Sequence, residues 1–181
     1  MKKIINLLLL SILIVSFASC KKGEDISEWR DANLAAYDAI AKNPQYKEIK
    51  TESGPSGVYY KVINSGDGVE KPFQTSRVKV RYKGSYYDGT VFDSGTTSSN
   101  TPIEFNLTGN NLVRGFSFAL QNMVVGDKWE VWIPYYLGYG AAGLQDYNYN
   151  YYYYSYQAQT IIKGYTTLVF ELELVSINQY P

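Results

Sequence analysis

The 181-residue sequence contains no histidine and a single cysteine, Cys20, and its seventeen basic and seventeen acidic residues cancel. Without histidine, Ser-His-Asp and Cys-His catalysis and the common His-based zinc sites are excluded. One cysteine excludes an internal disulfide, a Cys-rich metal centre and a CxxC redox pair. A net charge of zero supplies no field that would gather DNA or RNA, so nucleic acid is not an expected partner. The one long apolar run, residues 4–15, is too short and too soon followed by polar sequence for a membrane-spanning helix. Tyrosine, by contrast, is abundant at nineteen residues. A hydrophobic content of 45% suits one globular domain of ordinary core size, with roughly 50 residues left over.

The leftover residues lie at the N-terminus. Met1-Lys2-Lys3 is a short positive segment, the apolar run follows, and Phe17-Ala18-Ser19-Cys20 has the form of a lipobox. Residues 1–19 therefore read as a lipoprotein-type signal peptide, with Cys20 as the site of lipid attachment. Phe17 stands where such a box usually has Leu. Removal of Lys2 and Lys3 leaves fifteen basic against seventeen acidic residues, a net charge of −2 that still selects no charged partner. The expected location is the cell envelope, lipid-anchored on the periplasmic or surface side of the outer membrane.

Residues 20–56 read as a tether followed by a helix. Asp25-Ile26-Ser27-Glu28 has the shape of a capping box, and Trp29, Leu34, Tyr37, Ile40 and Ala41 form a thin apolar stripe ending before Asn43-Pro44. Such a helix spaces or packs beside a main domain, or else dimerises; a single short helix with so thin a stripe dimerises weakly by itself. The chain is expected to be a monomer. The turn-rich stretch Thr51-Glu52-Ser53-Gly54-Pro55-Ser56-Gly57 reads as a linker and places the domain boundary at residue 57.

Residues 57–178 are mostly β. Val78, Val80 and Tyr82 alternate with Lys79, Arg81 and Lys83; Ile103, Phe105 and Leu107 with Glu104 and Asn106; Trp129, Val131 and Ile133 with Lys128, Glu130 and Trp132; and Leu168, Phe170, Leu172 and Leu174 with Glu171 and Glu173 among others. Residues 57–64 add a fifth strand, and Asp88-Gly89 marks a turn between Tyr86-Tyr87 and Val91-Phe92. Only residues 116–123 are helical, with Phe116, Ala119, Leu120 and Met123 on one face. The fold class is α+β: an antiparallel β-sheet wrapped over one short α-helix, with a further helix at the N-terminus.

Several segments in these strands resemble one family. Val80-Arg81-Tyr82-Lys83-Gly84 followed by Asp88-Gly89-Thr90-Val91-Phe92-Asp93-Ser94 is similar to the V-x-Y-x-G…DG-x-x-FDS signature of FKBP-type peptidyl-prolyl isomerases. Leu112-Val113-Arg114-Gly115-Phe116 resembles that family's V-I-x-G-W segment, and Met123-Val124-Val125-Gly126-Asp127-Lys128 its M-x-x-G-[DE]-K turn. Ile133-Pro134-Tyr135-Tyr136-Leu137-Gly138-Tyr139-Gly140 resembles I-P-x-x-L-[AG]-Y-G, and the stretch from Thr167 to Leu174 resembles the family's closing strand.

The resemblance implies a peptidyl-prolyl cis-trans isomerase that speeds X-Pro rotation in exported proteins. That chemistry needs no nucleophile, metal or cofactor, which agrees with a chain lacking histidine. By correspondence, Tyr82, Phe92, Asp93, Tyr139 and Phe170 are the catalytic residues, and Leu112, Val113, Phe116, Ile161 and Ile162 bind substrate, with the Val113 N–H as a second donor. Gly115 and Gly126 read as structural, suited to tight turns. The implied partners are proline-containing unfolded or exported clients, a tacrolimus-like macrolide, and the membrane through the lipid anchor. Three features depart from the family. Phe116 replaces the usual Trp floor; residues 94–101 hold no arginine to pair with Asp93, leaving Tyr82 or another hydroxyl to orient it; and residues 144–160 are inserted. That Tyr-rich loop holds seven of the nineteen tyrosines. It reads as a client-contacting, self-packed or mobile loop. The alternative function is a catalytically weak FKBP-like binding module that uses this loop to hold a protein or ligand.

Overall fold

The computed structural model describes residues 25–95, 101–109, 112–150 and 155–178. The signal segment, Cys20 and the start of the tether lie outside the described residues. Among the described residues, nine strands and two α-helices follow in chain order: α1 Ser27–Ala41, β1 Lys47–Thr51, β2 Gly54–Asn64, β3 Arg77–Ser85, β4 Val91–Asp93, β5 Ile103–Asn106, α2 Arg114–Leu120, β6 Lys128–Ile133, β7 Leu144–Asn150, β8 Ser155–Ile162 and β9 Leu168–Asn178. The main sheet runs β1-β2-β6-β9-β3-β4, with β5 also pairing β3, and every pairing is antiparallel. The α+β class and the sheet wrapped over one short helix are as the alternation predicts.

Period-two burial explains this arrangement. Val58, Val78, Val80, Val131, Ile133, Leu172 and Leu174 turn one face of the sheet inward, against Gly115, Phe116, Ala119 and Leu120 of α2. The helix comes so close that a Cβ on Gly115 would lie 2.3 Å from Ile133 Cγ2. Gly115 therefore serves close packing rather than the tight turn expected of it. Gly126, with φ of +91°, does form a turn. There Asp127 holds the neighbouring loop, its carboxylate accepting from Val124 N and Gly66 N at 2.9 Å each. On the opposite face Arg81 pairs with Glu173 at 2.7 Å, and Lys83 and Lys128 both pair with Glu171. These pairs are part-exposed, so each contributes at most about 1 kcal/mol.

Two parts of the sequence reading change. The stretch read as a linker is the turn of a hairpin, since Lys47 to Thr51 pair with Tyr60 to Gly54. Its glycine and proline signal the turn, but the flanking strand carries only one apolar residue, Ile49, that is buried. The N-terminal helix packs on the domain through only part of its apolar stripe, Trp29 and Tyr37, with polar Asn33 between them. Leu34 is exposed, whereas Asn33 is fully buried. Asn33 Oδ1 accepts from Thr167 N at 2.8 Å, its Nδ2 donates to Trp29 O at 2.8 Å, and Thr167 Oγ1 donates to its carbonyl at 3.2 Å. Trp29 Nε1 donates to Thr166 Oγ1 and Tyr37 Oη to Gly57 O, so positions 29, 33 and 37 fasten one helix face. The helix starts one residue later than the capping box places it, with Ile26 as N-cap and no side-chain cap bond, while Asp25 Oδ1 accepts from Ser27 N at 3.0 Å just ahead of it.

The Asn33 contact yields a direct test. Asn33→Leu strands the buried Thr167 N–H, which costs about 1–3 kcal/mol. Urea denaturation should show that loss, while Leu34→Ser on the exposed side should shift stability by no more than about 0.5 kcal/mol.

Candidate functional site

Between α2 and the inward face of the sheet lies a cavity of about 80 Å3, lined by Tyr82, Asp93, Phe105, Leu112, Val113, Phe116, Tyr139 and Phe170. Each residue arrives from a different constraint. Tyr82 and Phe170 sit on β3 and β9, the most extensively paired strands, which align over nine cross-strand residue pairs. Asp93 is the last residue of β4, opposite Gly84. The tight turn before β4 is closed by Tyr86 N donating to Thr90 O at 2.9 Å and Thr90 N donating to Asp88 Oδ1 at 2.9 Å. Leu112 and Val113 form the extended entry to α2, with Val113 as N-cap and its carbonyl accepting from Phe116 N at 3.0 Å. Tyr139 lies between Gly138 and Gly140, and Gly140 N donates back to Tyr135 O at 2.8 Å while Gly140 O accepts from Tyr165 N at 3.0 Å.

The walls are rings set edge to face. Phe116 meets Phe170 at 5.1 Å and 86°, Tyr82 at 5.8 Å and 89°, and Phe105 at 5.6 Å and 68°. Such pairs contribute about 0.5–1.5 kcal/mol each beyond area burial, and they hold the rings upright around the space. Missing side chains make that possible. A Cβ at Gly84 would lie 2.7 Å from Phe92 Cζ and 2.8 Å from Phe170 Cε1, and one at Gly95 would lie 2.4 Å from Tyr82 Cε1.

The polar groups gather at the rim. Tyr82 Oη donates to Asp93 Oδ2 at 2.9 Å, so a tyrosine hydroxyl does orient this carboxylate. Burial, then the bond to Asp93, pushes the Tyr82 phenol well above its ordinary range. Burial, followed by the negative Asp93, likewise raises Tyr139. Both phenols therefore keep their protons at neutral pH, and Tyr82 donates its own to Asp93. Asp93 is the only carboxylate among the lining residues, and no cluster of three or more His, Cys, Asp or Glu is placed to hold a metal among the described residues.

Three expected site residues stand elsewhere. Phe92 backs the wall, packed edge-on against Phe170 at 5.8 Å and tilted on Tyr86 at 5.1 Å. Its neighbour Asp93 lines the cavity, while Phe92 stands behind the Phe170 wall. Ile162 is core at 2% exposure and Ile161 is 52% exposed, on opposite faces of one strand. Phe105 lines the cavity although alternation marked it only as strand interior; its pairing beside Val78 brings it over the floor. Gly84 and Gly95 were missed as well. Gly84 carries a signal, a glycine inside an otherwise alternating strand, which denotes close approach.

The inserted Tyr-rich stretch is a β-hairpin rather than a loop. β7 and β8 pair from Leu144↔Ile162 to Asn150↔Ser155 in a separate two-stranded sheet.

Comparison with known proteins agrees with this geometry. The family model for FKBP-type peptidyl-prolyl cis-trans isomerase matches residues 68–175. The chain belongs to the FKBP-type peptidyl-prolyl cis-trans isomerases. It is 40% identical over 157 residues to the FKBP-type 22 kDa peptidyl-prolyl cis-trans isomerase of Escherichia coli, covering 87% of this chain and 68% of that protein. To the outer membrane protein MIP of Legionella longbeachae it is 34% identical over 125 residues, covering 69% of this chain and 46% of that protein. A crystal structure of a peptidyl-prolyl cis-trans isomerase from Pseudomonas syringae pv. tomato superimposes with a TM-score of 0.65 and 31% identity, over 85% of this chain and 96% of that one. The chain thus spans about two thirds of the first relative and less than half of the second. It is a prolyl isomerase of the FKBP type, and its substrates are X-Pro bonds in proteins.

In this FKBP-type site the room at Gly84 is a structural requirement. Gly84→Ala should cost about 1–3 kcal/mol in urea denaturation by forcing Phe92 and Phe170 apart. It should also lower kcat/KM for a short proline peptide, because Phe170 is a cavity wall.

Proposed function

We propose that the cavity between α2 and the sheet is where the X-Pro bond turns. The observation that carries this reading is a single polar pair, Tyr82 to Asp93, at the rim of a space otherwise walled by Phe105, Phe116, Phe170, Leu112 and Val113. Amide resonance gives the bond a barrier of roughly 18–20 kcal/mol, and the planar form is the more charge-separated one. An apolar cavity that strips water from the imide disfavours that form. Donors aimed at the rotating carbonyl favour the twisted one. Tyr139 and the Val113 N–H supply these donors in our reading, while Tyr82 holds Asp93 in one rotamer at the rim. Phe116 forms the floor where the family usually has Trp.

Asp93→Ala and Phe170→Ala should each lower kcat/KM on a proline tetrapeptide by at least about tenfold, or roughly 1.4 kcal/mol of transition-state stabilisation. A protease-coupled assay reads this, with circular dichroism to confirm folding; full activity in folded variants would refute the site. A tacrolimus-like macrolide should compete for the same cavity.

The clients we infer are proline-containing exported proteins, met in the cell envelope. The lipobox-like sequence at Cys20 supports lipid anchoring, and one relative is by name an outer membrane protein. Cys20→Ser should move the protein from the membrane to the soluble fraction; equal membrane association of the variant would contradict anchoring. The pairing of the Tyr-rich segments β7 and β8 into a hairpin supports a second reading, in which the hairpin holds a partner and turnover is slow. Absence of turnover by the unmodified protein together with tight client binding would support it.

A further inference from the structure

The rings behind the proline cavity continue past the β3–β4 hairpin to a second opening. Phe92 stands 5.8 Å from Phe170, Tyr86 lies 5.1 Å from Phe92, and Trp29 of α1 meets Tyr86 edge-on at 5.4 Å. There the surface forms a groove of about 320 Å3 lined by Trp29, Tyr86, Asp88, Thr90, Ile161 and Lys163. The indole is fixed in place. Its Nε1 donates to Thr166 Oγ1 at 3.1 Å, Thr166 Oγ1 donates to Lys163 O at 2.7 Å, and the Lys163 ammonium sits 5.7 Å from the ring centre. The polar edge of Trp29 is thereby satisfied within the protein, which leaves its apolar surface to the groove. Ile161, half open to solvent, adds an aliphatic wall.

We propose that this groove is a second docking site for the client, taking a large apolar or aromatic side chain of the same polypeptide whose proline occupies the cavity. The proposal rests on the reading of the cavity as the proline site. Continuity argues for this occupant. Three ring contacts, none longer than 5.8 Å, separate the Phe170 wall from Trp29. At roughly 3.3 Å per extended residue, a client crosses that distance in about five residues. A tetrapeptide ends before it, whereas an unfolded protein reaches it and carries exposed apolar side chains to fill it. The groove also needs α1, which lies outside the matched stretch 68–175, so the helix acquires a role in substrate choice.

The test compares three substrates: a tetrapeptide, a twelve-residue peptide with phenylalanine five residues from its proline, and the same peptide with serine in that place. Phenylalanine is tried on either side of the proline. Thr90→Trp, at an exposed position on the groove wall, fills the space while leaving Trp29 intact. The unmodified protein should show KM at least fivefold lower for the phenylalanine peptide than for the serine peptide. Thr90→Trp should abolish that difference and leave tetrapeptide kcat/KM within twofold. No preference for phenylalanine on either side, or an equal effect of Thr90→Trp on all three substrates, would overturn the groove. A second measurement is independent of turnover. The phenylalanine peptide with alanine in place of proline should shift the tryptophan emission of the unmodified protein but not of Trp29→Phe. That shift, with no isomerisation of the proline-containing peptides, would uphold the groove and refute the cavity reading; isomerisation of those peptides without the shift would do the reverse.

Discussion

The edge-to-face packing of Phe116 against Phe170 and Tyr82 is the contact on which the rest of the structure turns. Phe116 belongs to the helix, and the other two belong to the paired central strands β9 and β3. The same three rings therefore join helix to sheet and form the walls of the cavity. Gly115 lets the helix approach, and Gly84 and Gly95 let the rings stand upright. A methyl group at any of these positions meets an occupied site at under 3 Å, so the cavity depends on absent atoms as much as on present ones.

Around this frame the polar chemistry is sparse. One hydrogen bond from Tyr82 orients Asp93, and burial keeps the phenols of Tyr82 and Tyr139 protonated. Rotation of an imide asks for little more, since no bond to a heavy atom is made or broken. A chain without histidine loses nothing needed for that task. The charged residues are spent instead on the far face of the sheet, where Arg81, Lys83 and Lys128 meet Glu171 and Glu173 across the strands.

Much of this was legible in the sequence, and the exceptions share a physical origin. Alternation located the central strands, and the ordered motifs brought Tyr82, Asp93, Leu112, Val113, Phe116, Tyr139 and Phe170 to one cavity. Motif order did not separate residues that line the cavity from those beside it: Phe92 stands behind Phe170, and Ile161 and Ile162 turn to opposite sides of one strand. Phe105 escaped because period two marks an inward face without distinguishing packed core from cavity wall. Asn33 escaped because a polar side chain is buried only when its partner, here Thr167, arrives from far along the chain. The Tyr/Asn alternation was read as loop chemistry although it carries the strand period that β7 and β8 adopt.

The central claim is that an apolar ring-walled cavity, and not a charged or metal-assisted centre, turns the X-Pro bond. Two-dimensional exchange NMR on a proline tetrapeptide with substoichiometric protein tests it most directly. The account predicts cross-peaks between the cis and trans proline signals that vanish when a tacrolimus-like macrolide fills the cavity. Exchange that persists with the cavity filled, or no exchange with the unmodified protein, would contradict it.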